Sequence, residues 1–130
     1  MTIDRNIRWL IRLENAALAT LAIVLFAAVS GNWWLFAALI LAPDLSLLGY
    51  LKGPRIGALA YNAVHTWLAP ALLAAVSLFG AGPVFVEIGL IWAAHIGIDR
   101  ALGYGLKLPA GFKQTHLGPI GREKSPPGPL

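Results

Sequence analysis

Cysteine is absent from the 130 residues of this chain, and charge is scarce. Without a thiol there is no disulfide, no thiolate nucleophile and no thiolate metal ligand, so any metal has to rest on histidine and carboxylate groups. Charged residues make up 12% of the chain against 58% apolar ones, and the mean hydropathy is positive. A small soluble domain is not built from that mixture, and the chain reads as a membrane protein. Its length holds about four spans of roughly 20 residues each, which leaves one integral membrane domain, 1–130, and no separate soluble unit. Nor is the net charge of +4 a nucleic-acid footprint. The basic residues lie beside apolar segments, where their partners are membrane lipids with anionic headgroups.

What is present is a four-segment pattern. Apolar segments cover about 7–29, 33–50, 58–79 and 84–104, followed by a polar tail, 105–130, whose end from Ser125 to Leu130 has a disordered composition. Arg5, Arg8 and Arg12 border the first segment, Lys52 and Arg55 sit in a loop with Gly53, Pro54 and Gly57, and the other five Lys and Arg residues fall at or beyond the end of the fourth. The turns Ser30-Gly31-Asn32 and Gly80 to Pro83 hold none. The positive-inside rule then predicts an all-α, four-transmembrane-helix bundle with both termini cytoplasmic, in a bacterial inner membrane. Trp33 and Trp34 fit the outer aromatic belt and Trp9 the inner one. Ala28-Val29-Ser30 before Gly31 also has the look of a signal-peptide cleavage site, but Arg12, Glu14 and Asn15 interrupt the apolar stretch and favour a span.

Ionisable groups inside these segments form the second pattern. At about 1.5 Å of rise per residue, His65 and His95 lie at one level, roughly 12 Å inside the cytoplasmic ends of their helices. Asp44, Glu14 and Asp99 fall near the same depth, with Asp99 one turn from His95 and Tyr61 one turn from His65. Each such group costs on the order of 2.5 to 3.5 kcal/mol to insert into hydrocarbon, so they are expected to face the bundle interior and satisfy one another. Pro43 and Pro70 each free a backbone carbonyl, which suits a site needing extra acceptors or a kink. Two imidazoles and two carboxylates, Asp44, His65, His95 and Asp99, suit Zn, Fe or Mn. In a metal-dependent intramembrane hydrolase, Glu14, Tyr61 and Asn62 are the accompanying catalytic candidates, Tyr61 or Asn62 as an oxyanion donor.

Other readings use the same residues differently. Interhelical hydrogen bonding alone would make the layer the glue of a non-enzymatic membrane subunit, with Asp99 orienting His95 or pairing with Arg100. A proton- or ion-coupled carrier requires a homo-oligomer, because four short helices make a poor monomeric transporter. A b-type haem on His65 and His95 would explain their equal depth, although Asp44 and Asp99 sit badly beside an apolar macrocycle. Glu87 fits an interfacial position, and His116 fits a solvated tail or a lid that folds back.

Ala42-Pro43-Asp44-Leu45-Ser46, Leu48-Gly49-Tyr50, Gly53-Pro54-Arg55, Tyr61-Asn62 with His65, His95-Ile96-Gly97 with Asp99-Arg100, Gly103 to Lys107, Gly111-Phe112-Lys113 and Thr115 to Gly118 together resemble a family of small bacterial four-helix integral membrane proteins known only as a domain of unknown function. That resemblance implies fold and location and no reaction. More loosely, Asn62 to His65 and His95 to Asp99 look like the intramembrane metal ligands of ceramidase-type hydrolases, which have more helices and a second His where this chain has Asp99.

Overall fold

The computed structural model describes residues 4–108, 115–117 and 120. Among them the chain is all-helical apart from one isolated bridge between Lys107 and Thr115. The first helix, α1 (Arg5–Val29), starts where the Asp4 side chain accepts the Asn6 and Ile7 amides, an N-cap that satisfies two otherwise orphaned donors. Its buried residues, Asn15, Ala19, Ala22 and Phe26, recur every three or four positions and so form one stripe. That stripe lies against α5 (Pro83–Ala101), running antiparallel: the Arg12 Nε donates to Ala101 O at 2.7 Å at one end. Further along, Gly97 faces Ala19 and Asn15 so closely that a Cβ on it would stand 2.9 Å from the Ala19 nitrogen and the Asn15 oxygen. Small residues therefore set this interface, as they do where helices pack without a hydrophobic driving force from water.

The second segment is broken. It is α-helical over α2 (Trp33–Leu39) and continues as a 3-10 helix over Ala42–Lys52. Pro43 is the cause, because it has no N–H and its ring crowds the carbonyl four residues back. Eleven residues is long for a 3-10 helix, which usually runs three or four. Packing on α3 (Pro54–His65) holds it, with Gly49 and Tyr50 lying against Ala60 and Gly57. Gly53, at a φ of +114°, makes the turn between the two, and Pro54 begins α3 with its pre-set φ. The third helix thus starts about one turn before the expected position at 58.

The third segment, expected as 58–79, is likewise two helices, α3 and α4 (Leu68–Leu78), bent by 40° at Thr66 and Trp67. Pro70 lacks the N–H that would bond Thr66 O, so the break falls one turn before it. Side chains of α5 take over two of the carbonyls freed there. The Trp92 Nε1 donates to Val64 O at 2.7 Å and the Arg100 Nη2 to His65 O at 3.3 Å. Arg100 is therefore a cap for α3, and no Arg100–Asp99 ion pair is found among the described residues.

Two segments, Arg5–Val29 and Trp33–Lys52, are long and apolar enough to cross a membrane, and the bent pair α3 and α4 makes a third candidate. The helix α5, expected as the fourth span, carries Glu87, Asp99 and Arg100 within its 19 residues. Large apolar side chains such as Leu10, Leu13, Leu41, Leu48, Leu72 and Leu78 are exposed, as lipid-facing residues are.

Beyond α5 the tail turns back. Residues 105–108 and 115–117 form a short strap in which the His116 amide donates to Leu106 O at 2.9 Å and the Leu106 amide to His116 Nδ1 at 2.7 Å. Asn62 clamps the strap to α3. Its Nδ2 donates to Lys107 O at 2.7 Å and its Oδ1 accepts the Lys107 amide at 2.6 Å. The Gly/Pro-rich end, 121–130, and the Gly111-Phe112-Lys113 motif lie outside the described residues.

Two outcomes follow for the strap. Asn62→Ala removes both bonds that its carboxamide makes to the Lys107 backbone, each worth about 0.5–1.5 kcal/mol; hydrogen exchange at Leu106 and Lys107 is expected to accelerate about tenfold while α1 and α5 stay protected. The second concerns pH. Burial and then the Arg100 charge push the His116 imidazole below its usual range. The detached strap therefore binds a proton more readily than the docked one. Docking is fully favoured above about pH 6.5 and is lost as pH falls through the lowered value. Protonation also removes the acceptor for the Leu106 amide, so the protection of that amide, its exchange taken relative to the intrinsic rate at each pH, is expected to fall between pH 7 and pH 5.

Candidate metal centre

Three elements meet at one point. The 3-10 helix contributes Asp44, α3 contributes His65 and α5 contributes His95 and Asp99, and one ligand atom from each lies within 4.8 Å of all the others. His65 Nε2 stands 3.1 Å from His95 Nε2. Asp44 Oδ1 is 3.2 Å from both imidazole nitrogens, while Asp99 Oδ2 is 3.5 Å from that of His65 and 3.2 Å from that of His95. A tetrahedron of donors on a zinc-like ion at 2.0–2.1 Å has edges of about 3.3 Å. The five separations that involve a histidine, 3.1–3.5 Å, match it, and the Asp44 and Asp99 oxygens stand within 4.8 Å of each other.

The protons on the two rings are placed by the backbone. His95 Nδ1 lies 2.5 Å from Ile40 O and His65 Nδ1 lies 2.8 Å from Tyr61 O. A carbonyl accepts only, so each Nδ1 carries the hydrogen and donates it, and in the neutral ring each Nε2 presents a lone pair. Ile40 O is available because its helical partners are missing: Pro43 has no N–H, and the Asp44 amide bonds Leu41 O instead. Two lone pairs at 3.1 Å, flanked by two carboxylate oxygens, are acceptors with no donor between them. Such a cluster is satisfied by a cation at its centre or by extra protons. An imidazole whose second nitrogen donates to a carbonyl is also the usual setting of a metal-ligating histidine.

The two sides of the cluster differ. Both histidines are buried, whereas the Asp44 side chain is 39% exposed and that of Asp99 20%. The carboxylate side opens on a cavity of about 290 Å³ lined by Asp44, Tyr61, Asp99, Tyr104 and Lys107. Tyr61 stacks on the His65 ring at 3.7 Å, and its hydroxyl lies 3.5 Å from Asp99 Oδ2. The buried Lys107 sets its ammonium 4.8 Å over the Tyr61 ring. Burial pushes the Lys107 ammonium below its usual range, and Asp99 and Asp44 pull it back up. A second, apolar cavity of about 320 Å³ is lined by Pro43 and Val64, the residues preceding Asp44 and His65, with Leu39, Ile91 and Trp92.

The other expected site residues fare differently. Glu14 lies on the exposed face of α1, outside the cluster. The residue of α1 that turns inward is Asn15, about 100° further round the helix. Asn62 lies close by in sequence, but its carboxamide is engaged at both ends by the Lys107 backbone, which makes it a strap clamp. A bis-histidine haem is also ruled out as a fit: its two nitrogens sit on opposite sides of iron, about 4 Å apart with bonds of roughly 2 Å. Here the nitrogens are 3.1 Å apart with carboxylates where the macrocycle would lie. Lys107, Tyr104 and the capping Arg100 carried no periodic signal of their own, whereas Trp92, three residues before His95, shares the face of His95 and Asp99 by spacing. The reading of His116 as a lid that folds back was the hint that the tail returns, and His116 is bonded to Leu106.

These features, apolar helices enclosing a buried Asp-His-His-Asp group, define a helical protein with the marks of the membrane and a potential metal-binding group. The chain belongs to the family described as a domain of unknown function (DUF4260), whose profile matches residues 8–120. No curated protein and no solved structure matches it.

Proposed function

We propose that this chain is a four-span protein of the bacterial inner membrane that holds one divalent ion, zinc, iron or manganese, on Asp44, His65, His95 and Asp99 and uses it to hydrolyse a lipid-like substrate. The observation that carries the reading is the pair of Nε2 lone pairs turned toward each other by two backbone carbonyls. A bound divalent ion supplies Lewis-acid chemistry and makes water a stronger acid. The protein's own groups divide the remaining work. The buried imidazoles fix the ligand geometry, and the part-exposed carboxylates leave an approach from the 290 Å³ cavity. Catalytic metal sites keep a coordination position for water, and with four protein ligands that position would come from expansion of the shell on the side of the part-exposed carboxylates. The Tyr61 hydroxyl and the Lys107 ammonium face charge that develops there. The apolar cavity beside Pro43 and Val64 has the lining an acyl chain requires.

The test is turnover of long-chain acyl ester, N-acyl amide and phosphodiester probes in mixed micelles by zinc-loaded protein. Cleavage of one class, abolished by chelator and in His95→Ala, is the expected result. A stoichiometrically loaded protein that leaves all three intact removes the hydrolase reading and leaves a carrier or structural role. The topology has its own check. Reporters fused after Leu130 or between Lys52 and Arg55 are expected on the cytoplasmic side and those at Ser30 to Asn32 on the periplasmic side, because all ten basic residues border one side.

A further inference from the structure

A separate cavity of about 270 Å³ lies where the start of α1 meets the end of α5 and the strap, lined by Arg8, Arg12, Gly103, Tyr104, Leu117 and Ile120. No carboxylate lines it among the described residues. The Arg12 guanidinium is held in place by its bond to Ala101 O and by stacking 4.5 Å over the Trp9 ring. The Arg8 Nε is buried and has no hydrogen-bond partner among the described residues. A buried guanidinium donor without an acceptor is costly, and the usual remedy is an anion.

We propose that this cavity binds the phosphate of an anionic phospholipid. Three observations select a lipid over a free anion. The cavity sits at the end of α1, a helix long enough to cross a membrane, so it falls at the headgroup layer. Leu10, Leu13 and Leu102, on the same stretches of helix, are exposed and provide a surface for acyl chains. Trp9, also exposed, marks an interfacial position. Basic pockets between helices at this level recognise anionic headgroups through the guanidinium fork, which matches phosphate geometry. The site does not depend on a metal, although Tyr104 and Ile120 also wall the cavity in front of the Asp-His-His-Asp cluster.

The experiment is native mass spectrometry of the full chain released from nanodiscs containing equal phosphatidylglycerol and phosphatidylcholine. Wild type is expected to retain one phosphatidylglycerol in clear preference to phosphatidylcholine. Arg8→Gln is expected to lower that preference about fivefold, the effect of one guanidinium at the headgroup layer. Arg5→Gln removes the same charge from an exposed residue outside the cavity, and is expected to change it less than twofold. Equal losses in the two variants would show diffuse surface attraction and overturn the proposal. So would displacement of the lipid by millimolar inorganic phosphate, which would assign the cavity to a free anion. Arg8→Lys, which keeps charge but not the fork, guards against misreading a folding defect: a folded Arg8→Lys variant with full preference would remove the guanidinium-specific assignment.

Discussion

Replacing His65 by Asn is expected to reduce bound metal from about one ion per chain to less than a tenth, while the helix content and the membrane insertion of the protein stay as they are. Asparagine places an N–H where the imidazole Nδ1–H now bonds Tyr61 O at 2.8 Å, so the local hydrogen bond survives and the Nε2 ligand does not. Loss of an outer-shell partner alone weakens a metal site 10–100-fold, and loss of a ligand costs more. The structural cost is small, because an interhelical polar contact in a membrane bundle is worth about 0.6 to 2 kcal/mol. His95→Ala is expected to behave the same way with respect to metal. If the layer is only glue between helices, the outcome reverses: the wild type carries no metal, and both variants mainly lose thermal stability in detergent. Metal analysis with a melting curve on each variant separates the two.

The other large effect is expected at Gly97. A side chain there meets backbone atoms, the Ala19 nitrogen and the Asn15 oxygen, each 2.9 Å from where its Cβ would be. Backbone cannot swing aside as a flexible side chain can, so Gly97→Val forces α1 away from α5. Overpacking of this kind costs about 1–3 kcal/mol and commonly more where backbone is the obstacle. Gly97 stands two residues from both His95 and Asp99, so the displacement is expected to lower metal occupancy along with the melting temperature. Ala63→Val on the exposed side of α3 introduces the same side chain at a cost of only a few tenths of a kcal/mol of helix propensity. Equal melting temperatures for the two variants would mean that α1 and α5 are not packed as described.

Depth along a helix was readable from the sequence, and direction around it was not. Counting rise per residue put His65, His95, Asp44 and Asp99 at one level, and the structure brings those four together. The same count put Glu14 there, and it failed because depth says nothing about azimuth; the buried stripe of α1 passes through Asn15. Pro43 and Pro70 were legible as places where carbonyls come free. Their consequences were not, since whether a proline gives a kink, a 3-10 helix or a full break depends on what packs opposite. At Pro43 the free carbonyl became the anchor of His95, and at Pro70 the break exposed carbonyls that Trp92 and Arg100 cap from another helix. The strap was the least legible part. Its docking rests on the Asn62 clamp to Lys107, a pairing 45 residues apart that no periodicity encodes.

The central claim is that the four groups surround one metal ion. X-ray absorption at the metal edge of wild-type protein, purified without chelator and supplied with zinc, tests it most directly. The account predicts one ion per chain with two histidine nitrogens and at least two oxygens at about 2.0–2.2 Å, and the loss of one histidine shell in His65→Asn if any ion remains. A protein that takes up no zinc, or one whose ion shows no histidine scattering, would contradict it.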